Sequence, residues 1–136
     1  MKFLDTNIFV RYLAADDEAK TEACFELFQR LGRGAETATT SETVIAEVVY
    51  VLSSRSLYKL DHDEIAARLA PLLSLRGLRL RDKRTYFRAL NLYAANSFLN
   101  FEDTLTVAHM ERQGISEVLS YDTDFDRIPG ISRREP

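Results

Sequence analysis

The sequence predicts an α/β protein with a largely parallel sheet. Short apolar segments typical of strands alternate with longer segments whose apolar residues recur at helical spacing. That order is typical of parallel strands, because each parallel connection needs a crossover helix. The chain has 136 residues, of which 46% are apolar, enough for one sizeable core. We therefore expect residues 1–136 to form a single domain.

Two strands and two helices are predicted in the first forty residues. Met1–Leu4 is typical of a short buried strand, and the apolar run that starts at Ile8 favours a helix. Asp16 and Asp17 precede a second helix, which ends at Gly32 and Gly34. Its expected apolar face comprises Ala23, Phe25, Leu27, Phe28 and Leu31. Residues 35–39 are predicted to form the second strand.

The middle of the chain contains two capped helices and a third strand. Ser41 is the expected cap of the helix that carries Glu47, which is apolar on nearly every side. Asp61 and Glu64 have the spacing of a capping box, which predicts a helix to about Leu73. Residues 78–80 are a candidate third strand.

Two further helices and a late strand complete the prediction. Residues 85–98 carry apolar side chains at helical spacing, and Asn100 is a plausible cap for a helix that ends at Gly114. Residues 117–120 are predicted to be a strand that leads into an acidic loop at residues 121–126. We expect the polar residues 132–136 to be frayed.

Four acidic residues interrupt apolar segments, where an unpaired carboxylate is costly to bury. They are Asp5, Glu47, Asp103 and Asp122. Asp5 and Asp122 each follow a predicted strand, and ligands of open α/β sheets bind beyond the carboxyl ends of strands. Glu47 shares its helix face with Val44, Tyr50 and Val51, so we expect its carboxylate to point inward.

Each acid also has a purely structural interpretation. Asp5 is equally plausible as a residue that only caps a helix. Asp103 lies near a helix start, where its negative charge interacts favourably with the helix dipole. Glu47 is a candidate partner for a buried Arg11. The hydroxyl of Thr6 is equally plausible as a simple helix cap and as a group that orients the neighbouring carboxylate or binds a metal-bound water. The acids become harder to explain structurally when all of them are considered together.

Clustered carboxylates repel one another and take up protons unless a cation neutralises them. Hard oxygen ligands without cysteine or grouped histidine favour Mg²⁺ or Mn²⁺. Such ions support hydrolysis of phosphate esters. His62 and His109 lack a second ligand at metal-binding spacing, and Cys24 is expected to be a core residue.

The net charge of −3 does not exclude a nucleic-acid partner. If five of the 21 acidic residues converge on metal, 16 remain against 18 basic ones, which leaves a mildly basic remainder. Arg11 and Arg127 lie close in sequence to the first and last acidic motifs, so they are the preferred candidates for contacts to RNA phosphates. Neither a signal peptide nor a membrane-spanning run is evident, so a cytoplasmic location is expected.

Four segments, in this order and spacing, resemble the motifs of the PIN-domain family, particularly its VapC-type toxin ribonucleases. They are FLDTNIFVRYL, ETVIAEVVYVL, FEDTLTVAHM and LSYDTDFDRIPGI. The resemblance covers almost the whole chain. It implies a three-layer α/β/α sandwich around a mainly parallel sheet and endonucleolytic cleavage of RNA with Mg²⁺ or Mn²⁺.

The resemblance also implies roles for single residues. Asp5, Glu47, Asp103 and Asp122 match the conserved acids, with Asp124 in support, and relatives differ in which acid of the last loop approaches the metal. Thr6 matches the hydroxyl residue of the first motif, and Ser120 stands where the family often has threonine. Homodimers and a small cognate antitoxin that covers the site are implied as well.

Three other kinds of protein share parts of this pattern. A phosphatase that forms an aspartyl-phosphate would need a second acid two residues after Asp5, where this chain has Asn7. A phosphorelay receiver domain would need an Asp after a middle strand and a Lys after a late one, and neither is present at residues 35–40 or 117–122. A catalytically silent PIN-like module that binds RNA or a partner remains an open alternative, although all the acids are present.

Overall fold

The computed structural model describes residues 1–15 and 17–136. Within these residues the chain forms six α-helices, one 3-10 helix and four short strands. The helices are α1 (Thr6–Ala14), α2 (Glu18–Arg33), α3 (Glu42–Ser53), α4 (His62–Leu73), α5 (Lys83–Ala95) and α6 (Phe101–Gln113). The strands are β1 (Lys2–Phe3), β2 (Ala38–Thr39), β3 (Glu117–Leu119) and β4 (Ser132–Arg134), and the 3-10 helix is Thr123–Arg127.

The described strands pair in two parallel ladders. Strand β1 pairs with β2, with Lys2 opposite Ala38, and β3 pairs with β4, with Glu117 opposite Ser132. A single parallel bridge joins Ala38 to Leu78. The predicted α/β class with parallel strands is confirmed, but the strands are shorter than expected. In particular, the predicted third strand at residues 78–80 is reduced to this one bridge.

Helices α5 and α6 lie between two hydrophobic clusters. The larger cluster contains Leu4, which follows β1, with buried residues of β2 and the first four helices, together with Tyr93 and Leu105 of α5 and α6. The smaller cluster joins Leu92 and Val107, on other faces of the same two helices, to Phe125 of the 3-10 helix. The two helices therefore connect the packing of the N-terminal ladder to that of the C-terminal ladder.

Several predicted helix starts are confirmed by capping hydrogen bonds. The Ser41 hydroxyl accepts a bond from the Val44 amide at 3.1 Å, and the Asn100 side chain accepts one from the Asp103 amide at 2.8 Å. Asp17 caps α2 through the Lys20 amide, whereas the candidate cap Asp16 lies outside the described residues. Asp61 occupies the predicted cap position of α4 without a capping bond from its side chain.

Two expectations about burial were confirmed only in part. Of the predicted buried strand only Leu4 is buried, while Phe3 is 61% exposed, because successive side chains of a strand point to opposite faces and Leu4 is the one that meets the core. Helix α2 buries Phe28 and Leu31 of the predicted face together with Cys24, but Ala23 and Phe25 are exposed. Its buried stripe is thus offset from the predicted one.

The C-terminal residues are ordered in a strand, contrary to the expected fraying. Residues 132–134 form β4, and the guanidinium of Arg133 donates to the Ser120 carbonyl at 3.0 Å and to both carboxylate oxygens of Asp126. The predicted helix at residues 85–98 also differs, since α5 starts at Lys83 and ends at Ala95. No helix in the described part of the chain is long and apolar enough to cross a membrane.

Candidate active site

Asp5 follows the first strand and occupies the cap position of α1. The ladder continues through Leu4, whose amide donates to the Thr39 carbonyl at 2.8 Å, and Asp5 then turns the chain into the helix. Its side chain makes no capping hydrogen bond, and the residue is exposed. The carboxylate is therefore not used as a helix cap, which removes the main structural interpretation of this residue.

Thr6 and Glu47 form the first side-chain contact of the site. The buried Thr6 hydroxyl donates to Glu47 Oε2 at 2.8 Å, so it orients Glu47 and not its neighbour Asp5. The expectation that Glu47 points into the core was wrong. Glu47 is exposed and Tyr50 is 67% exposed, because α3 buries the opposite stripe, which includes Ile45 and Val48.

A cavity of about 300 Å³ brings these residues together. Its lining includes Asp5, Thr6, Asn7, Arg11 and Glu47. Arg11 is half-buried there, so the cavity combines two carboxylates with one guanidinium. Its polar groups can bind an anion and a cation side by side.

A second group of acids lies at the C-terminal ladder. The Ser120 hydroxyl accepts a hydrogen bond from the Asp122 amide at 3.0 Å, and the Asp122 carboxylate accepts one from the Asp124 amide at 2.9 Å. Asp103 lies in the first turn of α6 and is half-buried. Ser120 and Asp122 thus shape the turn that carries Asp124.

Burial raises the pKa of Asp103, and the charges of Asp122, Asp124 and Glu102 raise it further. Burial removes water that would stabilise the ionised carboxyl group of Asp103, and repulsion from the neighbouring carboxylates adds a smaller effect in the same direction. No ion pair to a basic side chain is present for Asp103, Asp122 or Asp124 within residues 1–15 and 17–136. This group therefore carries uncompensated negative charge.

Glu47 also faces α6 across a second cavity. A groove of about 550 Å³ between α3 and α6 is lined by Glu47 and Tyr50 on one side and by Glu102 and Leu105 on the other. His109 closes one part of it and contacts both carboxylate oxygens of Glu42 at 3.0 and 3.1 Å. Glu47 thus lines both the Asp5 cavity and the groove beside the helix of Asp103.

The donor chemistry of these residues fits a hard divalent ion. Carboxylate oxygens are the ligands that Mg²⁺ and Mn²⁺ prefer. Among the described residues, no three acidic, histidine or cysteine side chains form a group that could hold one ion. The structure brings Asp5 close to Glu47 and Asp103 close to Asp122 and Asp124, as two groups.

Arg127, one of the two predicted phosphate contacts, is exposed and packs against an aromatic ring. Its guanidinium carbon lies 3.7 Å from the centre of the Phe98 ring. A stacked guanidinium keeps its outward hydrogen-bond donors, so this contact is compatible with a second role in binding phosphate. Arg11 and Arg127 remain predictions as contacts to RNA.

The family model of the PIN domain matches residues 2–131, nearly the whole chain. The chain belongs to the PIN-domain family. Members of this family are generally nucleases and commonly depend on Mg²⁺. No curated protein gave a significant sequence match. The fold of the described residues, with six helices and parallel strands, agrees with a PIN domain.

The sequence patterns did not predict part of the lining of the groove between α3 and α6 in this PIN domain. Glu42, Glu102 and His109 line the groove beside Glu47, but they stand on amphipathic helices where exposed polar residues are common. Glu42 lies five residues before Glu47, and a histidine facing it from another helix has no local signature. Only the packing of α3 against α6 reveals that these residues share a groove.

Proposed function

We propose that this PIN domain is a metal-dependent endoribonuclease in which Asp5, Glu47, Asp103 and Asp122 hold Mg²⁺ or Mn²⁺. The observation that carries the proposal is the group of Asp103, Asp122 and Asp124, none of which has an ion pair to a basic side chain in the described residues. Burial and then the neighbouring carboxylates raise the pKa of Asp103. A cluster with no basic partner is costly unless a cation binds there. The family match supports nuclease chemistry.

The bound ions would polarise the scissile phosphodiester, activate water and stabilise charge on the leaving oxygen. The protein contributes the placement of the ligands. Thr6 holds Glu47 through its hydroxyl, and Ser120 holds the backbone that carries Asp122. Arg11 adds positive charge beside Asp5, where a phosphate oxygen can be bound. Asp124 supports the same site from the 3-10 helix.

The decisive experiment is cleavage of single-stranded RNA by purified protein with Mg²⁺ or Mn²⁺ and, in parallel, with chelator. We expect cleavage only with metal, and we expect Asp5→Asn and Asp103→Asn each to lower the rate by more than about a hundredfold. The estimate follows because the loss of a residue that merely supports a ligand already costs about 10- to 100-fold.

The matched control for Asp5 is Asp61→Asn. Asp61 also occupies a helix cap position without a capping bond, and it is equally exposed, but it lies on α4. We expect this variant to keep its activity. Equal losses in the two variants would assign Asp5 a structural role, and absence of metal-dependent cleavage in the unaltered protein would overturn the proposal.

The biological setting that we propose is the toxin of a type II toxin–antitoxin pair. Its support is the order and spacing of the four motifs, which resemble VapC-type proteins. A cytoplasmic homodimer and a small antitoxin that covers the site belong to the same proposal. Exposed Phe25, Tyr50, Leu57 and Tyr121 offer apolar surface for such partners. Light scattering of the purified chain tests the dimer.

One observation favours the alternative of a silent RNA-binding module. The described acids form two groups and do not surround one ion position. Such a module would bind RNA without cleaving it, with or without Mn²⁺. Binding without cleavage in the experiment above would therefore select this alternative.

A further inference from the structure

A cluster of basic residues surrounds a cavity that the candidate active site does not use. The cavity has a volume of about 600 Å³ and lies along the segment that follows α4. Its basic lining residues are Arg76, Arg79, Arg81 and Lys83. Met1, Leu78 and Leu80 complete the lining, so no acidic side chain contributes to it. We call these four basic residues and their cavity the basic pocket.

The positive charge of the basic pocket is not neutralised by the protein. Across the described residues, no ion pair involves Arg76, Arg79 or Arg81. Asp82, the acid within this segment, instead pairs with Arg112 of α6 at 2.7 Å. Several other cations of the chain do pair with acids, as Arg88 does with Glu111. Adjacent unpaired cations are unfavourable unless an anion binds them.

Lys83 shows the effect of this crowding. Its ammonium donates to the Leu75 carbonyl at 2.9 Å, which is a neutral partner. Burial lowers the pKa of Lys83, and the charge of Arg79 lowers it further. The two cations therefore repel each other across the pocket, and an anionic ligand would relieve that repulsion.

The backbone holds the basic pocket in place. The Arg79 amide donates to the Ala38 carbonyl at 2.7 Å, and the Thr39 hydroxyl donates to the Arg79 carbonyl at 2.6 Å. A Cβ at Gly77 would overlap the carbonyl oxygens of Leu31 and Glu36, so the segment lies tightly against its neighbours. Little backbone conformational freedom is therefore lost when a ligand binds here.

The side chains of this segment alternate as in a strand with one buried face. Leu78 is fully buried and Leu80 is half-buried, while Arg79 and Arg81 are exposed. Arg79 and Arg81 both line the cavity, so their guanidinium groups lie along the same opening. Two guanidinium groups on one side form a suitable site for successive phosphates.

The basic pocket lies near the candidate active site. The bridge to Ala38 makes its segment the neighbour of β2, and β2 pairs with β1, which leads to Asp5. Two strand spacings correspond to roughly 10 Å, and the four residues from Met1 to Asp5 add up to about 13 Å along the strand. The resulting separation corresponds to roughly three to five nucleotides at the ~3.4 Å rise of a stacked strand. A nucleic-acid strand can therefore reach both places.

We infer that the basic pocket binds backbone phosphates of the RNA substrate a few nucleotides away from the cleaved bond. The inference rests on the proposed ribonuclease function and adds a second contact region to it. The contact is independent of base sequence, because it involves phosphate oxygens only. It predicts that longer RNA binds more tightly than RNA too short to reach from Asp5 to the pocket.

The test is binding of labelled single-stranded RNA to the full chain in chelator, measured by fluorescence anisotropy over a salt series. The variant Arg79→Gln/Arg81→Gln removes two phosphate contacts, so the slope of log affinity against log salt should flatten by about 1.4. The gain in affinity from a dinucleotide to a longer strand should fall at least tenfold. Arg79→Lys/Arg81→Lys keeps the charge and should keep most of the slope.

The matched control is Lys20→Gln/Arg55→Gln, which removes the same charge from exposed positions outside the pocket. An equal change of slope in this control would show that the salt dependence of RNA binding reflects only the net charge of the protein, which would overturn the inference. So would a pocket variant that binds long RNA as the unaltered chain does. If the pocket variant instead loses binding to poly-glutamate while RNA binding is unchanged, the ligand is an acidic protein and the inference is wrong.

The ribonuclease proposal is tested separately by metal-dependent cleavage in the unaltered chain. If the unaltered chain cleaves RNA and the pocket variant binds RNA as the unaltered chain does, the basic pocket is rejected and the nuclease proposal stands. A loss of length-dependent binding in a chain that never cleaves RNA would reject the nuclease and leave the pocket as a phosphate site. Circular dichroism of each variant identifies any loss of folding.

Discussion

Thr6 is the residue whose contact most directly positions a candidate ligand. Its hydroxyl is buried and donates to Glu47, 41 residues later in the sequence. Thr6→Val keeps the shape of the side chain and removes the donor. We expect RNA cleavage to slow about 10- to 100-fold, because a freed carboxylate no longer has a fixed orientation. The free energy of unfolding should fall by only about 1 kcal/mol.

The control for this substitution is Thr85→Val. The Thr85 hydroxyl is also buried but has no hydrogen-bond partner in the described part of the chain, so its loss should leave stability unchanged or improved. Thr6→Ser restores the donor and should restore most of the cleavage rate. A serine variant as slow as the valine variant would show that the methyl group, not the hydrogen bond, is what matters.

Asp103 leads to a prediction about stability and pH. Burial, Asp122, Asp124 and Glu102 all raise its pKa, so its ionisation is less favourable in the folded than in the unfolded chain. The contribution of the Asp103 carboxyl group to the free energy of unfolding is therefore fully present below its pKa in the unfolded chain. It is lost as the pH rises through its pKa in the folded chain. In chelator, Asp103→Asn should therefore melt at or above the temperature of the unaltered protein at neutral pH.

Thermal melts in chelator at pH 4 and pH 7 measure this effect. The difference between Asp103→Asn and the unaltered chain should be larger at pH 7, where the carboxyl group is charged. Asp63→Asn is the control, since Asp63 also lies in the first turn of a helix. Clear destabilisation by Asp103→Asn at pH 7 would assign this acid to the helix dipole instead of the metal site.

At the scale of the elements, β4 fixes the loop that carries Asp122. Arg133 of β4 has a side chain only 14% exposed, and it joins Asp126 to the Ser120 carbonyl. We expect Arg133→Lys to lower the melting temperature by a few degrees and to slow cleavage, because a lysine cannot reproduce the forked contact. Arg134→Lys alters a neighbouring, 69% exposed arginine and should change neither property. Comparable effects of the two substitutions would contradict this role.

At the scale of the whole molecule, two of the candidate metal ligands follow strands of different ladders. Asp5 follows β1 and Asp122 follows β3, and these two strands are not paired with each other within the described residues. An ion bound only by the folded chain raises its stability, by about 2.7 kcal/mol at a hundred times the dissociation constant. Mn²⁺ should therefore raise the melting temperature measurably.

Both Asp5→Asn and Asp122→Asn should reduce this Mn²⁺-induced rise, and Asp61→Asn should leave it intact. Differential scanning fluorimetry across a Mn²⁺ series provides the comparison. If only one of the two variants loses the rise, the ion is held by the acids of one ladder alone.

Helix boundaries and candidate acids followed from local patterns. Ser41 and Asn100 cap helices through hydrogen bonds that span only three residues, so the sequence near each helix start contains the whole signal. The same holds for the buried Cys24, which lies on an apolar stripe of α2. The four acids are candidates because each interrupts an apolar segment, and the structure shows that the Asp5 carboxylate makes no capping hydrogen bond although the residue occupies the cap position.

Contacts between distant parts of the chain decided the remaining features. Glu47 lies on the exposed side of α3 because its helix packs through the opposite face, and its partner Thr6 comes from another element. The C-terminal residues form β4 because β3 offers backbone partners that local polarity does not reveal. The sequence alone determined which residues could carry charge, metal or a helix end. Only tertiary packing decided which of them meet, because burial and pairing depend on neighbours that are remote in sequence.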